Sequence, residues 1–274
     1  MASITHPPAA SAYDPDFVSL VLDDALAHEA RVYGIGGLQG TGKSTLSSQL
    51  ASLAKTRGLH VEVLSIDDVY LDHDRRLQLA RDVHPLLATR GPPGTHDVSL
   101  ACAVIDALRA GAETQLPRFD KISDRQLPVS AWPHAGVADL VIFEGWFLKT
   151  PAQAAADLTV PLNAIERDED AQGIWRRYCN AALDRDYPAL WQRIDRLLWL
   201  QGPGFEVVPD WRWQQEVALQ AANTDRVAMS RTQVERFVQF FERVSRQALR
   251  RLPEIADRTI FLDSVRRPLT TGSG

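Results

Sequence analysis

Residues Gly37-Leu38-Gln39-Gly40-Thr41-Gly42-Lys43-Ser44 fit the pattern G-x-x-x-x-G-K-[ST]. They lie between a short strand-like run, Arg31 to Gly36, and a stretch that sets Leu46, Leu50 and Leu53 on one helical face before stopping at Gly58. Strand, glycine-rich turn and helix are the context this pattern requires, and few folds supply it. The glycines let backbone N–H groups converge on a polyphosphate, and the helix presents its positive end. Lys43 can then reach the terminal phosphates, and Ser44 offers a hydroxyl to Mg²⁺. The segment from Gly37 to Thr45 is therefore the candidate nucleotide-binding loop. A dinucleotide fingerprint starting at Gly34-Ile35-Gly36 fails, because its third glycine falls at Gln39. No Asn-Lys-x-Asp stretch occurs to read guanine, so ATP is the expected donor.

The rest of the chain repeats the alternation. His60 to Ile66 reads as a buried strand ending in Asp67-Asp68, and Leu140 to Phe143 as another ending in Glu144-Gly145. Further strands are expected at Ile194–Leu200 and Thr259–Leu262, and helices at Phe17–Ala30, Thr95–Ala110 and around Val234–Phe241. Strands alternating with helices throughout predict one α/β domain over residues 1–274, a parallel sheet with helices on both faces. Residues 1–14 read as a flexible tail, and about 151–193, charged and helical in period, as a lid or insertion. With 30 Lys+Arg against 35 Asp+Glu the net charge is −5, which excludes a nucleic-acid binder that relies on bulk positive charge. No run approaches the roughly 18 apolar residues of a membrane span, and no secretory leader is evident, so a cytoplasmic protein without membrane partners is expected. Cys102 and Cys179, far apart and outside any metal-ligand spacing, read as reduced thiols.

In an open parallel sheet ligands bind beyond the C-terminal edge, where Asp67, Asp68 and Glu144 all arrive. Glu144 has the position of a Mg²⁺-side carboxylate, and Asp67 that of a general base toward an acceptor hydroxyl, a role open to Asp68 as well. Arg90-Gly91-Pro92-Pro93-Gly94-Thr95-His96-Asp97 is a rigid turn into a helix, where Thr95 or Asp97 is equally placed to cap. Arg118, Lys121 and Arg125 gather cations that an anionic acceptor would need, or else line a solvated loop. Arg212, between Trp211 and Trp213, is a candidate phosphate or adenine contact, with core packing the competing account of the tryptophans. Arg176 and Arg177 read either as transition-state cations or as a solvated helix face.

These residues are similar, in order and spacing, to the D-glycerate 3-kinases: the glycine loop, Ser65-Ile66-Asp67-Asp68-Val69-Tyr70-Leu71, the Arg90–Asp97 turn, Pro117-Arg118-Phe119-Asp120-Lys121, Phe143-Glu144-Gly145-Trp146 and Trp211-Arg212. That family belongs with uridine kinase, phosphoribulokinase and bacterial pantothenate kinase, so the loop, Asp67 and Glu144 mark only the group. The resemblance implies a P-loop kinase that transfers the ATP γ-phosphate to D-glycerate with Mg²⁺, Lys43 and Asp67 catalytic, Ser44 and Glu144 on the metal, and Gly37 to Thr45 with Arg212 on the nucleotide. It further implies Asp68, Tyr70, Arg90, His96, Asp97 and Lys121 around the hydroxy-acid acceptor. Pro209-Asp210 and Ile122 depart from the family pattern. Uridine, pantothenate or a pentose phosphate as acceptor, and a non-catalytic ATP switch, are the competing readings.

Overall fold

A computed structural model describes residues 12–222 and 228–269 of the 274. Helix α1 (Pro15–Ala27) opens on Asp14, whose carboxylate accepts the Asp16 N–H at 2.9 Å, with Pro15 in the first turn. Strand β1 (Val32–Gly37) runs into the glycine loop and α2 (Lys43–Thr56), and β2 (Val61–Ser65) into a 3-10 turn over Ile66–Asp68. Helices α3 (His73–Asp82) and α4 (Val98–Arg109) follow. Next come two antiparallel ribbons, β3 (Thr114–Gln115) with β6 (His134–Ala135) and β4 (Phe119–Asp120) with β5 (Arg125–Gln126), and then β7 (Leu140–Gly145). Helices α5 (Ala164–Asp168), α6 (Ile174–Arg185) and α7 (Pro188–Trp191) lead to β8 (Arg196–Gln201). The described chain closes with α8 (Val208–Ala222), α9 (Arg231–Ile255) and β9 (Arg258–Phe261).

The five long strands form one parallel sheet in the order β2-β7-β1-β8-β9. The chain leaves β1 to one side for β2 and returns to its other side for β8, so the crevice beyond β1 and β7 is the topological switch point of the sheet. Register sets Glu144 of β7 beside Ile35 on one side and Ser65 on the other, so its carboxylate arrives at the level of the glycine loop.

The central strands β1, β7 and β8 are largely apolar because both faces are covered, whereas the edge strands β2 and β9 carry Glu62, Arg258 and Thr259. On one face Tyr33, Ile35, Leu140, Ile142, Leu198 and Leu200 pack under α1 and α2; on the other Val141, Phe143, Leu197 and Trp199 pack under α4, α6, α7 and α9. Successive residues of β1, β7 and β8 alternate between the two cores, as the pleat requires. Among the described residues no helix is long and apolar enough to cross a membrane, and Cys102 and Cys179 are free thiols.

Of the tail 1–14, residues 1–11 lie outside the described residues, but Tyr13 is buried and donates its hydroxyl hydrogen to the Thr41 carbonyl. The segment 151–193 sends Ile165, Trp175, Cys179, Leu183, Tyr187 and Leu190 into the larger core. Arg176 is buried, pairing with Asp170 at 3.0 Å and donating to the Leu158 carbonyl at 2.8 Å, which corrects both accounts of it, whereas Arg177 is exposed as a solvated helix face would have it.

Candidate active site

The glycine loop fills the mouth of the crevice. Gly40 has φ +82°, and a Cβ there would meet Trp211 Cβ at 2.5 Å; Gly42 has φ +91° at the N-terminus of α2. Both positions need glycine, the first for backbone conformation and space together. Trp211 is thus core, its indole N–H donating to the Ser264 carbonyl at 2.8 Å, while Arg212 turns to the cleft and pairs with buried Glu216 at 3.1 Å. Lys43 donates to the Leu38 carbonyl at 3.2 Å, and burial pulls its ammonium down against the opposing charges of Glu144 and Asp67.

Ser44 Oγ donates to Glu144 Oε1 at 3.0 Å. A hydroxyl and a carboxylate converging beside the loop are hard oxygen ligands of the kind Mg²⁺ takes, and that ion ordinarily shares its shell with substrate phosphates. Among the described residues no cluster of three or more His, Cys, Asp or Glu could hold a metal by itself, so the pair fits a phosphate-borne Mg²⁺ and not a resident metal cage.

Across the cleft stand Asp67, Tyr70, Lys121 and Arg90. The Lys121 ammonium lies 2.7 Å from Asp67 Oδ2, and the Tyr70 hydroxyl donates to Asp67 Oδ1. Burial would raise the Asp67 carboxyl, but the Lys121 charge and the hydrogen bonds from Lys121 and Tyr70 outweigh it and hold Asp67 well below the ordinary carboxylate range. Asp68 goes the other way: burial raises it against the pull of Arg118, 3.4 Å away, and it faces that arginine outside the cleft lining. Arg90 is held over the Phe119 ring at 5.7 Å, donates to the Lys121 carbonyl at 3.2 Å and pairs with Asp124. Asp124 also takes buried Arg76 at 2.7 Å and the His73 ring at 3.0 Å, so one carboxylate ties Arg90, α3 and the β4–β5 turn that carries Lys121.

Besides Asp68, two more residues expected at the acceptor do not line this cleft. Asp97 caps α4, accepting the Leu100 N–H at 3.0 Å, and pairs with Arg75 at 2.8 Å. His96 is buried behind Tyr70, ring centroids 4.8 Å apart. Its Nδ1 is 2.7 Å from the Tyr187 hydroxyl, which already accepts the Gly94 N–H at 3.0 Å. The other ring nitrogen, Nε2, is buried without a hydrogen-bond partner. Sequence reasoning missed Asp124, the apolar wall of Trp146, Phe237 and Phe241, and Tyr13 and Arg266 behind the loop; of these only the Trp146 motif left a local signal. Asp210 pairs with Arg231 at 2.7 Å on the surface.

A five-stranded parallel sheet with a glycine loop, lysine, serine and strand-end carboxylates at its switch point defines an ATP-dependent P-loop kinase. No protein-family model matches the chain. It is 35% identical over 203 residues to Mug58, an uncharacterised kinase of Schizosaccharomyces pombe, covering 69% of this chain and 71% of that one. It is 30% identical over 224 residues to the chloroplastic D-glycerate 3-kinase of Arabidopsis thaliana, 76% of this chain but only 45% of that protein's length. The structure of the D-glycerate 3-kinase of Cryptococcus neoformans superposes with a TM-score of 0.77 at 24% identity, over 93% of this chain and 98% of that one, a likeness of fold. The chain belongs with Mug58 to one family of ATP-dependent P-loop kinases.

Proposed function

We propose that this kinase transfers the γ-phosphoryl group of MgATP to a hydroxyl of D-glycerate. The observation that carries the reading is the pairing of Lys121 with Asp67 directly across the cleft from Lys43 and Ser44, with Arg90 tethered beside it. A glycerate carboxylate entering this end meets two cations, a planar guanidinium and a mobile ammonium, and its hydroxyl lies toward the aspartate. Two relatives carry D-glycerate 3-kinase as their names.

The chemistry follows from the charges. As the acceptor oxygen bonds to the γ-phosphorus and the bond to the β-phosphate oxygen breaks, the hydroxyl proton passes to Asp67. An acceptor carboxylate that takes over Lys121 removes the charge holding Asp67 down, so the base strengthens only with the acceptor in place. Lys43 balances charge on the transferred phosphoryl, and Arg212 is placed to contact the nucleotide. Ser44 and Glu144 would hold Mg²⁺, which supplies charge neutralisation on the phosphates. Asp68, Asp97 and His96 act on this site only through the structure around it.

The test is ATP consumption across D-glycerate, L-glycerate, uridine, pantothenate and ribulose 5-phosphate. D-glycerate should be turned over with a kcat/KM at least about a hundredfold above the others. A clear preference for uridine, pantothenate or the pentose phosphate would retire glycerate and keep the kinase, and ATP turnover unaffected by every acceptor would retire the transfer reading.

A further inference from the structure

We propose that both ends of the described chain serve nucleotide binding, with Tyr13 and Arg266 as positioning residues that hold the phosphate loop from behind. A loop whose N–H groups must converge on phosphate turns its carbonyls away from the cleft, and each carbonyl then needs a donor. The donors come from three places. Leu38 O accepts from Thr41 N and Thr41 Oγ1, at 3.2 and 2.8 Å. Gly40 O accepts from Arg266 Nε, and Thr41 O from the Tyr13 hydroxyl. Consecutive carbonyls of one loop are therefore tied by residues from opposite termini.

Both ties are themselves anchored. The Tyr13 backbone exchanges hydrogen bonds with the Gln49 side chain on α2 at 2.9 and 2.8 Å, and the Tyr13 ring lies where a Cβ on Gly42 would come within 3.2 Å. Arg266 is buried, stacks over the Trp211 ring at 5.0 Å and donates to Gln214 at 2.7 Å, which joins the loop to α8 beside Arg212. It sits at φ 70° in a turn closed by Asp263, whose carboxylate accepts the Val265 and Arg267 N–H groups at 2.9 Å each. A non-glycine residue kept in the left-handed region, with its guanidinium delivered onto the phosphate loop, is the kind of local strain that accompanies a functional contact.

The inference rests only on the nucleotide end of the cleft, so failure of the glycerate reading leaves it standing. The experiment is calorimetric titration of MgATP into Tyr13→Phe, Arg266→Gln and Arg266→Lys variants of the full chain, with melting temperature and acceptor kinetics alongside. Tyr13→Phe and Arg266→Gln should each weaken MgATP binding about tenfold, with kcat at saturating MgATP changed by less than about twofold. Arg266→Lys should recover only part, since an ammonium cannot bond Gly40 O, reach Gln214 and lie flat on Trp211 together. Val104→Ala, a core truncation on α4, calibrates the effect of lost stability. Unchanged MgATP affinity in the folded variants overturns the proposal. So does full recovery in Arg266→Lys, or an equal loss of affinity in Val104→Ala at a matched fall in melting temperature.

Discussion

Asp67 and Asp68 are adjacent in sequence and opposite in environment. Asp67 shares the cleft with Lys121 and Tyr70 and stays ionised, whereas Asp68 is pushed up by burial and faces Arg118. The pair could not be told apart from sequence, because the 3-10 turn over Ile66–Asp68 sets which side chain enters the cleft. Asp67→Asn keeps the shape and removes the proton acceptor, so kcat should fall by about 10²–10⁴ with little change in MgATP affinity. Glu144→Gln should instead raise the Mg²⁺ concentration needed for half-maximal rate, because it weakens an oxygen ligand beside Ser44. Steady-state kinetics at several Mg²⁺ concentrations separate the two; a crippled Asp68→Asn beside a mild Asp67→Asn would exchange the roles. Tyr13 and Arg266 were illegible for a different reason: their contacts to the loop span 28 and 226 residues. No local pattern encodes a side chain whose partner lies that far along the chain.

At the scale of elements, legibility followed periodicity. β1, β7 and β8 are continuous apolar runs ending at polar edges, and were found within one or two residues of their bounds, as was α4 at its C-terminal end. The ribbons β3–β6 and β4–β5 are two-residue pairings with no period to read, yet the second carries Lys121. The turn before α4 had two sound readings, acceptor contact and helix cap, and Asp97 takes the cap. Asp97→Ala should accordingly cost about 1 kcal/mol by losing the N-cap, a fall of roughly 2–4 °C in melting temperature, while kcat/KM for the acceptor stays near wild type. Calorimetry and acceptor kinetics on the same preparation check this. A large kinetic loss at unchanged stability would return Asp97 to the acceptor site.

On the whole-molecule scale the sheet separates two cores, and the cleft wall is continuous with the larger one. Tyr70 contacts Asp67 on its cleft side and His96 behind, and His96 packs against Phe147 and Tyr187, which belong to the core built from 151–193 and β7. The Asp67 carboxylate and the interior are thus joined through Tyr70 and one buried imidazole, and acid should act on that junction. Burial holds His96 down to about 3, against 6.5 for a free histidine, with Asp67 pulling weakly the other way. Below 6.5 the unfolded chain binds a proton that the folded chain refuses until about 3, so this contribution is complete above 6.5 and is lost as pH falls between the two values. At pH 5 the loss amounts to about 2 kcal/mol. Asp67 does not mask it, since a carboxyl held below its free value of 3.8 loses its contribution only under that pH. Chemical denaturation between pH 7.5 and 5 should show stability declining with acid in the wild type. His96→Gln, less stable at pH 7.5, should show a visibly flatter decline. Equal slopes in the two proteins would mean that the imidazole is not the group through which protons reach this core.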